Sequence, residues 1–265
     1  MTGRPQTSRI AALGGHEFRT QPEELAIARH LLALTAAKRP RVCLLPTASG
    51  DPRDGITSFY SVMDRFDCEP SHISLFRLER ERVDLAGHLL SQDLIYVAGG
   101  SMLNLIAIWQ AHAIDRILRQ AWERGILLAG QSAGAMCWFE QGITASAGKP
   151  RAAPGLGFLP GGLSVHYGRD PDRRQAFLRE VANGFPGGYA LDDGAGLVFE
   201  GRRPIEAFAG RRGARVVRVE ADGQQAVESP LHPIPLRREL HWQPDAAIAE
   251  MRGLHHRRLA SGRRR

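Results

Sequence analysis

Several features that would settle a protein's class at once are scarce or missing from this sequence. Three cysteines occur among 265 residues (Cys43, Cys68 and Cys137). That is an odd number at no metal-like spacing, which excludes a disulfide framework and a cysteine-built metal site. Cys43 lies inside an apolar run, where a thiol behaves as a small hydrophobe, and a reducing intracellular compartment is expected. No uninterrupted apolar run approaches the roughly 18 residues of a membrane-spanning helix. The opening MTGRPQTSRI carries charge with no apolar run behind it, so neither a signal peptide nor a membrane partner is expected, and the protein reads as cytoplasmic. Lysine is almost absent, at Lys38 and Lys149, and arginine supplies the rest of the formal charge of +7. That excess resembles a nucleic-acid signature, but Arg257, Arg258, Arg263, Arg264 and Arg265 crowd the last ten residues and the remainder is scattered. With no recognition motif and no interleaved aromatic and basic stripe, no nucleic-acid partner is expected.

What is present is ordinary for a soluble globular protein: 43% hydrophobic and 24% charged residues, in a chain long enough for one sizeable core. Short apolar runs alternate with longer amphipathic stretches, the pattern of βαβ units and a mainly parallel sheet. Strands are expected at Arg9–Leu13, Arg41–Leu45, His72–Phe76, Leu94–Ala98 and Ile126–Ala129, then at Gly188–Leu191, Gly196–Phe199, Ile205–Phe208 and Ala214–Val219. Helices are expected at Pro22–Ala36, Ile56–Phe66, Leu103–Gln110, Ala113–Glu123 and Pro171–Asn183, the last N-capped by Asp170. Gly142–Gly162, rich in Gly, Pro and Ala, reads as loop. The pattern weakens after Asp222-Gly223. The expected organisation is one domain over 1–225 and a C-terminal extension over 226–265, its last dozen residues disordered.

The most informative segment is Leu127 to Glu140, LLAGQSAGAMCWFE. Gly130-Gln131-Ser132-Ala133-Gly134 satisfies the G-x-S-x-G nucleophile-elbow pattern, after an apolar strand and before a helical stretch. A serine on such a turn is strained, and small neighbours let the turn close. The helix behind it points free N–H groups toward developing negative charge. Ser132 is therefore the candidate nucleophile of a hydrolase. Ala98-Gly99-Gly100-Ser101 ends a neighbouring strand, so the amides of Gly100 and Ala133 are the candidate oxyanion hole. A serine hydroxyl needs a base, and His166, in GGLSVHYGRDPDRR, is best placed by position. An acid must orient that base. Asp192 is favoured, at the end of the strand GGYAL, with Asp193 and Glu140 as alternatives. A substrate carboxylate would need a guanidinium, for which Arg169, Arg173 and Arg174 are candidates, with Ser101 as a further binding position.

The stretches PRVCLLPTASGD, LIYVAGGSMLNLIAIW, GILLAGQSAGAMCWFE, GLGFLPGGLSVHYGRDPDRRQAF and FPGGYALDDGAGLVFEG are collinear over Arg9 to Glu220. In these the chain resembles the peptidase E group of serine peptidases, the aspartyl dipeptidases, which are related to the cyanophycinases. The resemblance implies a three-layer α/β/α sandwich like that of class I glutamine amidotransferases (flavodoxin-like), with a mainly parallel central sheet. It implies Ser132 as nucleophile, His166 as base, no metal or organic cofactor, and hydrolysis of short peptides with an N-terminal aspartate. The chain departs from the family at Ser101, where relatives read GGGN, and at Gly168, where they read HYDG. It departs again at Ala145, which stands where the acid of peptidase E itself is expected. Two readings follow: an active peptidase acting on small peptides, or a catalytically weak binding or regulatory protein on the same scaffold. Edge strands in such a sheet would allow a homodimer.

Overall fold

The computed structural model describes residues 7–15, 18–78 and 84–237. Its strands β1 (Arg9–Leu13), β2 (Arg41–Leu45), β4 (Leu94–Val97) and β5 (Leu127–Gln131) are almost continuous apolar runs with buried interiors, as strands covered on both faces must be. With β3 (Glu69–His72) they pair in parallel in the spatial order β1-β5-β4-β2-β3. β10 (Ala195–Glu200) and β11 (Arg203–Ala209) extend that sheet antiparallel beyond β1, and β14 (Ile234–Pro235) pairs with β11, giving eight strands. β5 lies in the middle, between β1 and β4.

Helices cover both faces. α1 (Pro22–Leu34) and α2 (Arg53–Met63) pack Ile27, Leu31, Phe59 and Val62 against Leu13, Leu44 and Tyr96. Pro22 starts α1 where its missing N–H costs nothing, and Glu23 and Glu24 face the positive end of the helix. On the other face α4 (Met102–Ala111) and α5 (Ile114–Glu123) bring Trp109, Leu118 and Trp122 to Ile95, Val97 and Leu128, with α3 (Leu85–Leu90) against α5. The result is an α/β sandwich around a mainly parallel sheet.

A second sheet departs from the expected layout. β6 (Phe139–Thr144), β7 (Arg151–Pro154), β8 (Leu159–Val165), β9 (Gly188–Leu191), β12 (Val216–Asp222) and β13 (Gln225–Leu231) form six strands in the order β13-β12-β9-β8-β6-β7. Leu159, Leu163, Val165 and Leu191 join the core beneath the first sheet. The opposite face is covered by α7 (Pro171–Ala182), through Ala176, Phe177 and Val181 on Ile143, Ala190 and Val219. Segment 142–162, read from its composition as loop, thus contains β7 and parts of β6 and β8. The segment lacks the β-branched and aromatic alternation that marks a strand, and the pairing of β6 with β7 and β8, and of β8 with β9, draws it into the sheet. The strand expected at His72–Phe76 ends at His72 and gives way to a 3-10 turn at Leu75–Arg77. The boundary expected after residue 225 falls inside the β12–β13 hairpin, which is paired from Asp222↔Gln225 to Val216↔Leu231. The basic tail and the expected disorder of the last dozen residues lie outside the described residues.

Among the described residues no helix is long and apolar enough to cross a membrane. All three cysteines are buried and free. Burial pushes the Cys43 thiol up to about 12 and raises that of Cys137 strongly, so both stay protonated and unreactive.

Candidate active site

The carboxyl ends of β1, β4 and β5 open on one side of the parallel sheet, and Gly15, Gly99 and Ser132 follow them around a cleft of about 480 Å³. In open α/β sheets this edge is where ligands bind. The β5 strand delivers the elbow. Ser132 has φ 51° and ψ −116°, a conformation that costs free energy and persists only when its surroundings impose it. The imposition is steric. A Cβ on Gly130 would stand 2.2 Å from the Gly134 carbonyl oxygen, and one on Gly134 would stand 2.4 Å from that of Val97. The Ser132 amide donates to Leu13 O at 3.1 Å, and its carbonyl accepts from Met136 N at 2.9 Å as the short helix α6 (Ala133–Met136) begins.

The second sheet supplies the partners. His166 follows β8 with φ 55°, and its Nε2 lies 2.9 Å from Ser132 Oγ. Its Nδ1 is hydrogen-bonded to Asp193 Oδ1, on the turn between β9 and β10. The carboxylate fixes the tautomer: Nδ1–H donates to Asp193, which leaves Nε2 to accept the serine proton. Both side chains are mostly buried, at 19% exposure each. Burial pushes the Asp193 carboxyl up. The hydrogen bond from His166 and the charges of His166, Arg169 and Arg211 more than offset it, and the group ends below the usual carboxylate range. Gly15 closes the arrangement from β1. A Cβ there would come within 2.2 Å of Asp193 Oδ1 and 3.0 Å of His166 Cε1.

Asp192, the acid favoured from the sequence, faces away from His166. Its Oδ2 accepts from Arg215 Nε at 2.9 Å and from the Arg215 amide at 3.0 Å. The reason is strand alternation. Asp192 extends the pairing of β9 with β12 through its amide to Arg215 O at 3.0 Å, so consecutive side chains point to opposite sides. Leu191 enters the core, Asp192 turns to Arg215, and Asp193 returns to the side of His166. Glu140 is occupied elsewhere, accepting from the Gly161 amide at 2.9 Å.

The remaining expected positions divide. Ala133 follows Ser132 at the first position of α6, where an amide has no intrahelical acceptor. Gly100 packs on Ala48, and Gly99 lines the cleft in its place. Ser101 caps α4 by accepting from Asn104 N at 3.3 Å and does not line the cleft. Arg173 is buried against Asp170, its Nε 3.2 Å from Oδ2, and Arg174 is paired with Glu228; neither lines the cleft. Arg169 does, bound to Asp193 Oδ2 at 3.1 Å. Sequence reasoning missed Arg19, Glu23, Glu24 and Arg211, which also line the cleft. Glu23 and Glu24 begin the helix after β1, so the rule that sites gather at strand carboxyl ends could have found them. Arg211 arrives from a loop before β12 and carried no local signal. Among the described residues Arg211 forms no ion pair, and no group of three or more His, Cys, Asp or Glu could hold a metal.

A hydroxyl, an imidazole and a carboxylate joined in this order can pass a proton from the serine to the ring and hold the charged ring. Comparison with known proteins agrees with that chemistry. The model of peptidase family S51 matches residues 10–206. A peptidase of Bacillus subtilis (strain 168), YgaJ, itself uncharacterised, is 41% identical over 223 residues, 84% of this chain and 96% of that protein. Two solved structures share the fold. One is a peptidase from an acI-B1 Actinobacterium (TM-score 0.63, 17% identity, 86% of this chain and 99% of that one). The other is a putative peptidase E protein from Listeria monocytogenes EGD-e (TM-score 0.55, 14% identity, 77% and 98%). The chain belongs to peptidase family S51, the peptidase E family of serine peptidases.

Proposed function

We propose that the protein hydrolyses short peptides bearing an N-terminal aspartate through an acyl-enzyme on Ser132. The observation that carries this reading is the unbroken link Ser132 Oγ–His166 Nε2 (2.9 Å)–Asp193 on a strained elbow. His166 takes the serine proton as Oγ attacks the peptide carbonyl, then gives it to the departing amine; water repeats the cycle on the ester. The oxyanion rests on the Ala133 amide and on an amide of the Gly99-Gly100 turn.

The substrate class is argued from charge. An N-terminal aspartate carries an ammonium and a side-chain carboxylate close together, and the cleft offers both complements, Glu23 and Glu24 from α1 and Arg211 from the loop that packs beside them. Arg211, with no ion pair of its own among the described residues, is the group we assign to the substrate carboxylate. The test is hydrolysis of Asp-Xaa and Ala-Xaa dipeptides by the wild type, Ser132→Ala and Arg211→Ala. The reading expects Asp-Xaa to be favoured and Ser132→Ala to lose roughly 10⁴-fold or more in kcat. It expects Arg211→Ala to raise KM for Asp-Xaa by about 10- to 100-fold. Full activity in Ser132→Ala would overturn the nucleophile. Equal cleavage of Asp-Xaa and Ala-Xaa would overturn the substrate class alone.

A further inference from the structure

Each of the neighbouring aspartates is held by a different arginine: Asp192 by Arg215, Asp193 by Arg169. We propose that Arg169 is a positioning residue that locks the Asp193–His166 pair in its hydrogen-bonded geometry, and that it does not receive substrate. The inference rests on the catalytic reading of Ser132 and His166.

Asp193 has two oxygens with separate duties. Oδ1 accepts the hydrogen bond from His166 Nδ1–H, and Oδ2 pairs with Arg169 Nη1 at 3.1 Å. A carboxylate bound on one oxygen only can rotate about its χ2, which is a soft torsion. Engaging the second oxygen with a planar guanidinium removes that freedom. Arg169 Nη2 also lies 3.3 Å from His166 Nδ1. With Nδ1–H already donated to Asp193, this contact joins two donors and acts as charge beside the ring.

The main chain sets the distance. Arg169 N and Asp170 N both donate to His166 O, at 3.0 and 2.9 Å, closing a turn that carries base and arginine together. Asp170 then caps α7 by accepting from Arg173 N at 3.0 Å. The turn is packed from behind, since a Cβ on Gly168 would lie 2.8 Å from Asp192 Oδ1 and 3.1 Å from Arg215 Nη2. His166 and Arg169 are therefore fixed relative to each other before any ligand arrives.

The charged groups around the ring are Asp193 from the β9–β10 turn, Arg169 and Arg173 from its own turn and the following helix, Arg19, Glu23 and Glu24 at and before α1, and Arg211 from the loop before β12. Arg169 is the cation in contact with the ring. The arginine side chain is itself 71% exposed, and an exposed pair of this kind adds little to stability. Its contribution should appear in the base and not in the fold.

The test has two arms. NMR of the His166 Nδ1–H proton in the wild type and in Arg169→Ala needs no turnover and reads the hydrogen bond to Asp193. The second arm is the kinetics of a cleaved dipeptide, with kcat and KM resolved. We expect the Nδ1–H resonance to broaden or disappear in Arg169→Ala as the carboxylate gains freedom, with Tm essentially unchanged, and kcat to fall by roughly tenfold with KM unchanged. Arg169→Lys keeps the charge without the fork, so both should recover only in part. An unchanged Nδ1–H resonance overturns the inference. So does a rise in KM alone with kcat unchanged, which would make Arg169 a substrate ligand. A lost Nδ1–H resonance in a protein that cleaves no peptide keeps Arg169 in this role and defeats the peptidase reading instead.

Discussion

On the side of the eight-stranded sheet, Ser132 is positioned by main chain. Its amide and carbonyl are both bonded, and Gly130 and Gly134 leave no room for any other path of the turn. On the side of the six-stranded sheet, His166 and Asp193 are positioned by side chains, through one hydrogen bond to Ser132, one between themselves and an arginine on the outer oxygen. The first construction leaves little room to adjust. The second is held by charge, and that is where a proton must move. The nucleophile therefore sits where packing is least forgiving, and the base sits where charged partners hold it.

The contrast can be broken one side at a time. The largest effect is expected for Asp193→Asn, which keeps the shape but removes the charge and turns one accepting oxygen into an N–H donor, so the His166 tautomer is no longer set. Here kcat should fall by roughly 10³- to 10⁴-fold with an unchanged circular dichroism spectrum. On the main-chain side, Gly134→Ala forces a Cβ toward Val97 O, 2.4 Å away in the present backbone. Overpacking of this kind should cost about 1–3 kcal/mol or more, read as a lower urea midpoint.

A smaller effect concerns acid. The Asp193 carboxyl lies below its ordinary range in the folded protein, so its contribution is present above the unfolded carboxylate pKa, about 3.9, and is lost as pH falls through the folded value. As pH falls below that range the wild type should lose stability that Asp193→Asn does not lose, measured by urea unfolding across pH. The smallest effect is expected for Arg215→Ala, which frees Asp192. That pair includes a half-exposed arginine and should change stability by about 0–1 kcal/mol while leaving kcat within a few-fold, measured on the same peptide.

The same contrast explains what could be read from the sequence. The elbow is local: strand, glycine, serine and helix follow one another within 127–136, and a short-range steric rule marks them. Pro22 and Asp170 likewise announce α1 and α7 through chemistry confined to one turn. In the six-stranded sheet β9 and most of β12 were legible, whereas β6, β7 and β8 were not, because they lie in a Gly- and Pro-rich stretch. The choice between Asp192 and Asp193 depends on the register of β9 against β12, and one residue of slip exchanges their faces. Arg211 reaches the cleft from a loop that no spacing ties to Ser132.

The most direct test of the central claim is to mix the protein with a cleaved Asp-Xaa peptide, quench with acid within the first turnover, and map the acyl group by peptide mass spectrometry. The account predicts a covalent acyl adduct on the peptide carrying Ser132, absent from Ser132→Ala. Turnover of the peptide by Ser132→Ala at the wild-type rate, with no adduct at that serine in either protein, would contradict it.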